Sequence, residues 1–271
     1  MPIDAPRSKH RLTRIAVREA WRISALGLAA YAGVQLVAMI FTRNLIGANA
    51  LQALVAEFSA GKLGVSWSDP EAPIPTMKAI AIRAGRGALV GAGLVLLAVA
   101  AVVIHGGSVS HGRFTIAGAL LGLLSAGMIA MRDELLLRGV MLRAFRHLLP
   151  LPILFLVLGL IGGASRMGDP DATWIEITSS AALAIAFAAA WIHDRGGWLA
   201  WGAHTAWIWV GSTLARGLVF DTKAVGGGAI DTDVVAVGVL VVASLALARF
   251  SSKAAHPGSI AQPAAMKRIS R

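Results

Sequence analysis

The chain predicts an all-α fold, a polytopic membrane bundle of about eight transmembrane helices with both termini cytoplasmic. Three observations lead there. Apolar residues fill 56% of the 271 positions and charged residues only 14%, against about 25% charged in an ordinary soluble domain. The mean hydropathy is +0.70. Eight membrane helices of about 20 residues would use roughly 160 positions, close to the apolar share. A soluble enzyme could not hide that much apolar surface, and a disordered chain would not carry it. The length leaves room for one compact membrane domain with short connections.

Residues 1–22 read as a basic cytoplasmic segment, with Arg7, Lys9, Arg11, Arg14, Arg18 and Arg22. The first apolar run, 23–41, is long enough to span. Ala48-Asn49-Ala50 resembles a signal-peptide cleavage site, but the basic segment and the run both exceed a typical signal's lengths. The run therefore reads as a retained helix. The next one, 45–63, is interrupted by Asn49, Gln52, Glu57 and Lys62, and taken alone would be an interfacial helix. A Pro-rich linker follows at 69–75. Strong runs come at 87–104, 114–131, 151–164, 175–192, 198–214 and 234–248. Between the second and third of these lies 132–149, a helix-period stretch rich in Leu and Arg. The segment 217–232, with Gly226-Gly227-Gly228, reads as an exposed loop. Residues 23–249 form the single membrane domain, and 250–271 read as a disordered cytoplasmic tail.

Charge decides the doubtful second run. With eight crossings, 20 of the 25 basic residues lie inside, leaving Arg43, Arg113, Arg166, Arg216 and Lys223 outside. The best seven-span arrangement divides them 15 and 10. Cytoplasmic segments retain Lys and Arg, so the eight-span division is preferred. Trp21, Trp174, Trp191 and Trp198 then fall near the interfaces, where amphipathic rings collect. A bacterial inner membrane is the expected location.

Composition also excludes function classes. The net charge of +11 would suggest nucleic acid on a soluble protein, but here the basic residues sit between apolar runs. Membrane lipid is the expected partner, and nucleic acid is not. The absence of cysteine removes disulfides, thiolate metal sites and thiol nucleophiles. No zinc-ligand pair sits on one helix face, and no cofactor is implied.

Ionisable side chains inside lipid are costly and mark a site or a structural pair. Few remain once the loops are set aside: Asp133, Glu134, Arg138, Glu176 and His204. Glu134 and Arg138 stand at i and i+4 with the acid first, the favourable order for an ion pair. They could simply neutralise each other. Asp133 lies about 100° around the helix, with no local partner evident. It could keep a raised pKa in a dry cavity and act as a base. His204 sits among Gly202, Ala203 and Ala206, small residues that let another helix approach. It reads either as a packing residue or as a donor to a neighbouring carboxylate. Glu176 reads as solvated near the outer surface.

Together these elements resemble a family. The stretch Asp133-Glu134-Leu135-Leu136-Leu137-Arg138-Gly139 is similar to the Glu-Glu-x-x-x-Arg-Gly signature of the CAAX protease and bacteriocin-processing (CPBP, or ABI) family. Some 55 residues on, Arg195-Gly196-Gly197-Trp198 leads into Gly202-Ala203-His204. That resembles the family's closing Arg-x-Gly-Ser-Leu-Trp turn and Gly-x-His-x-x-x-Asn element. The resemblance covers roughly residues 114–215. It implies an eight-helix membrane fold and a glutamic-type intramembrane endopeptidase acting on membrane-anchored or C-terminal tail peptides. By position, Asp133 takes the water-activating acid, Glu134 the second acid, Arg138 the structural arginine and His204 the last histidine.

The departures bear on activity. The first acid is one methylene shorter than the family's Glu. The middle Phe-x-x-x-His element has no histidine: with Phe155 in the aromatic place its position is Gly159, with Leu158 it is Gly162. The asparagine position is Ile208, which cannot donate a side-chain hydrogen bond. An intact fold with a decayed or rebuilt site fits this pattern. Three readings stand: an active peptidase with a divergent site, a catalytically silent relative that binds membrane tails or partners a paralogous protease, and a small transporter subunit.

Overall fold

The computed structural model describes residues 6–40, 45–68, 74–104, 108–111, 115–167, 172–214, 220–223 and 232–254. Among these the fold is all-α. The helices are α1 (Pro6–Ile40), α2 (Leu45–Lys62), α3 (Met77–Ile104), α4 (Ile116–Asp133), α5 (Val140–Phe145), α6 (Leu151–Ala164), α7 (Trp174–Asp194), α8 (Trp198–Trp209) and α9 (Thr232–Ala254). Each of the eight apolar runs falls on a helix. Two four-residue strands, β1 (Ser108–His111) and β2 (Phe220–Lys223), pair antiparallel with Ser108 opposite Lys223. They join the α3–α4 connection to the α8–α9 connection.

Among the described residues two helices, α3 and α7, are long and apolar enough to cross a membrane. Helix α6 has 14 residues, a rise of about 21 Å at 1.5 Å per residue, short of a hydrocarbon core of about 30 Å.

Three boundaries differ from the sequence reading. The basic segment is not separate from the first run, because α1 begins at Pro6 and continues to Ile40. Long unbranched Arg and Lys side chains lose little freedom in a helix, so the charge does not interrupt it. The stretch 132–149 is helical as far as Phe145, as its period predicts, but it is continuous with the run before it: α4 passes through a π-helical turn, Glu134–Gly139, directly into α5. Residues 134–142 are all buried, and Leu135, Leu136, Val140, Met141 and Leu142 belong to the core with Leu154, Leu158 and Phe187. Finally, α9 takes in residues 250–254. The remainder of the expected tail and the Gly226–Gly228 loop lie outside the described residues.

The interfaces follow from small residues and a few buried polar ones. Helices α3 and α8 approach backbone to backbone: a Cβ on Gly87 or Gly91 would overlap the carbonyls of Leu199 or Ala203, and one on Gly202 would overlap that of Ala84. On α6, Gly162 lies against Ala184 of α7 in the same manner. Helix α2 is held by polar contacts instead. Asn49 Nδ2 donates to Ser125 Oγ of α4 at 2.6 Å, and Gln52 accepts from Arg132 at 2.5 Å. Of the four polar residues that weakened this run in the sequence, Asn49 and Gln52 point into the bundle, while Glu57 and Lys62 are exposed. Helix α7 opens on a capping box, with Thr173 and Glu176 exchanging bonds, which gives Glu176 its role. It closes at Arg195 with a left-handed φ of 53°.

Candidate functional site

The site forms where the α4–α5 helix widens. A π-helical turn frequently marks a functional position because it displaces side chains from the regular ladder. Here it spans Glu134-Leu135-Leu136-Leu137-Arg138-Gly139, the motif read from sequence. Glu134 is fully buried, at 0% exposure, and both carboxylate oxygens are occupied. Oε1 accepts from Arg138 Nη1 at 2.6 Å and lies 2.8 Å from His204 Nδ1 on α8. Oε2 accepts from the indole Nε1 of Trp191 on α7 at 2.7 Å. Three helical segments thus converge on one carboxylate. A buried charge with only one of these partners would be costly; with an arginine and two further donors it is satisfied.

The contacts assign the imidazole's tautomer. Nδ1 faces the carboxylate at 2.8 Å and the Arg138 guanidinium at 3.3 Å. A carboxylate only accepts and a guanidinium only donates; the shorter contact, to Glu134, is the one a proton on Nδ1 satisfies. In the neutral ring this leaves Nε2 as the acceptor. The ring stacks on Phe187 at 4.7 Å and 24°, and Arg138 lies over the same Phe187 ring at 5.1 Å. Gly139 completes the motif for a steric reason: a Cβ there would sit 2.8 Å from Val65 Cγ1 and 3.4 Å from the Trp191 ring.

Asp133 belongs to a second cluster. Its Oδ1 accepts from Arg132 Nε and Nη2, both at 2.7 Å. Arg132 Nη1 donates to Gln35 of α1 at 3.1 Å and to Gln52 of α2 at 2.5 Å. The guanidinium lies 5.3 Å over the Tyr31 ring. Gln52 also lines a half-open cleft of about 330 Å³ between α1 and α2, with Ala30, Gly33, Val34, Leu51 and Val55. The Asp133 side chain keeps 16% exposure and lies within electrostatic range of His204.

The sequence expected Asp133 to lack a local partner and to share a cavity with His204. The carboxylate in contact with His204 is Glu134, and Asp133 is clamped by its neighbour Arg132. The expected Glu134–Arg138 pair is present. Of the two places where the resemblance expects a histidine, Gly159 is packed against Ile185 and Gly162 against Ala184 of α7. Both are turned to that interface. Two contributors were not singled out by sequence reasoning. Trp191, expected at the interface, is 8% exposed and anchors Glu134. Arg132 was counted only as a cytoplasmic charge. No spacing rule marks either; the clue to Trp191 is a large polar-edged ring directly after the Ala-rich stretch 181–190.

Among the described residues no three His, Asp or Glu side chains converge as metal ligands. No family model, curated relative or solved structure matches the chain.

Proposed function

We propose that this chain is an integral protein of a bacterial inner membrane, an eight-helix bundle of CPBP type. We infer that it holds membrane-anchored peptide tails, or a paralogous protease, at a catalytically silent site. The observation that carries the kinship is the contact of Glu134 with His204, which joins the two motifs on which the resemblance rests.

Membrane embedding is supported by the distribution of exposed apolar side chains. Leu36, Leu54, Phe58, Leu89, Leu96, Leu120, Leu156 and Val242 are exposed on six helices, far more apolar surface than a soluble monomer presents. The eight-span topology gains support from loop partners. The two strands that pair lie in connections assigned outside. The Arg83–Asp194 ion pair, at 3.5 Å, and the Ser68–Gly196 bridge both join connections assigned inside.

Silence is favoured over cutting by three features. Glu134 is sealed from solvent at 0% exposure, and both of its oxygens already accept from protein donors. Neither glycine at the histidine position leaves room for an imidazole. Ile208 offers no donor, and loss of one oxyanion donor already costs about 10²–10³ in rate. The second reading, a cutting enzyme, draws on Asp133, whose partial exposure beside His204 leaves one acid within reach of solvent.

The test is reconstitution of the pure chain in liposomes with a membrane-anchored tail peptide. Retention without cleavage is expected. Cleavage abolished by Asp133→Ala and His204→Ala would replace silence with the enzyme. Ion-dependent uptake with no peptide retention would overturn both.

A further inference from the structure

Helix α2 ends at Lys62; Gly64, with a φ of +72°, turns the chain away from it, and residues 65–68 then run across the α7–α8 turn. The contact is a single backbone bridge backed by stacked rings. Ser68 forms an antiparallel bridge with Gly196, and the Gly197 N–H donates to the Trp67 carbonyl at 2.9 Å. The Trp67 ring lies parallel to Trp198 at 5.0 Å and to Trp191 at 6.2 Å. Trp198 Nε1 donates to Ser68 Oγ at 3.3 Å. The turn is shaped for this approach. A Cβ on Gly196 would lie 2.6 Å from the Trp67 carbonyl oxygen, and one on Gly197 would lie 2.5 Å from the Trp191 ring. The floor of the seat is Trp191 itself, one hydrogen bond from Glu134.

Backbone pairing along an edge plus a pocket for a side chain is how extended peptides are recognised by strand addition. Stacked aromatic rings supply the anchoring. We propose that residues 65–68 fill, in cis, a binding seat for an extended peptide carrying an aromatic side chain. This rests on and deepens the reading above, naming the peptide class that the site takes. The tethered segment competes at an effective concentration in the millimolar range, so a peptide in trans enters weakly until the segment is loosened. Its outer hold is the bond from Trp67 Nε1 to Glu57, 2.8 Å and solvent-exposed.

The test uses the full chain in detergent and a dye-labelled peptide carrying residues 63–68, followed by fluorescence anisotropy. Trp67→Ala should bind the peptide at least about tenfold more tightly than the unsubstituted chain, a ratio within reach of one stacked ring. Glu57→Ala should fall between them. A peptide with Ser in place of the tryptophan should bind none of the three. Equal affinity for the three proteins, or binding indifferent to the peptide's tryptophan, would overturn the seat. If Trp67→Ala fails to fold, Glu57→Ala against the unsubstituted chain decides by the same comparison. The titration needs no hydrolysis and no membrane tail. Loss of tail retention in liposomes with the seat intact removes only the functional reading, and the reverse result removes only the seat.

Discussion

Glu134 and His204 stand 70 residues apart in the chain and 2.8 Å apart in space, and the carboxylate they share with Arg138 and Trp191 fastens α4, α7 and α8 together. Removing the guanidinium should therefore unfold more than a local contact. Arg138→Met leaves the buried Glu134 carboxylate without its counter-charge. A broken buried pair costs about 3–5 kcal/mol, read as a lowered midpoint in detergent unfolding. Glu134→Gln combined with Arg138→Met should lose less than Arg138→Met alone, since no stranded charge remains.

The α3–α8 contact gives a comparison within one helix. Gly85 and Gly93 have open space where a Cβ would go, whereas Gly87 and Gly91 face backbone of α8. Gly85→Ala and Gly93→Ala should be neutral or stabilising by up to about 1 kcal/mol, the helix-propensity gain. Gly87→Ala and Gly91→Ala should each destabilise by about 1–3 kcal/mol, the usual range for overpacking. Thermal unfolding of the four variants in micelles checks the contrast.

Placing a histidine where the proposed kinship expects one should not create a cutting site. Gly162→His would drive a side chain into Ala184 and the Ser180 carbonyl, and Gly159→His would displace Ile185. Both should lower stability, the first more, and neither should produce cleavage of a tail peptide.

The helix inventory was legible in the sequence because apolar runs bounded by Arg, Pro and Gly define helices without reference to partners. The Glu134–Arg138 pair was legible for the same reason, since i, i+4 spacing is a local property. The division of labour between adjacent acids was not. Asp133 and Glu134 differ in which neighbours their helix faces meet, and those neighbours, Gln35 and Gln52 on one side and Trp191 and His204 on the other, lie on separate elements. Helix α2 was ambiguous for a related reason: Asn49 and Gln52 look like breaks in an apolar run until Ser125 and Arg132 are placed opposite them.

That placement makes a prediction for α2. Asn49→Ala and Gln52→Ala should each cost about 0.5–1.7 kcal/mol, the range for interhelical hydrogen bonds in membrane proteins. Glu57→Gln, on an exposed bond, should cost less. Limited proteolysis near residue 64 reads the loosening of this helix.

The most direct measurement is a double-mutant cycle between Glu134→Gln and His204→Ala, scored by unfolding free energy in micelles. Direct contact predicts strong non-additivity, with a coupling of about 0.5–3 kcal/mol. Additive losses, agreeing within about 0.3–0.5 kcal/mol, would mean that the acid and the imidazole do not meet, and the site built on their convergence would not exist.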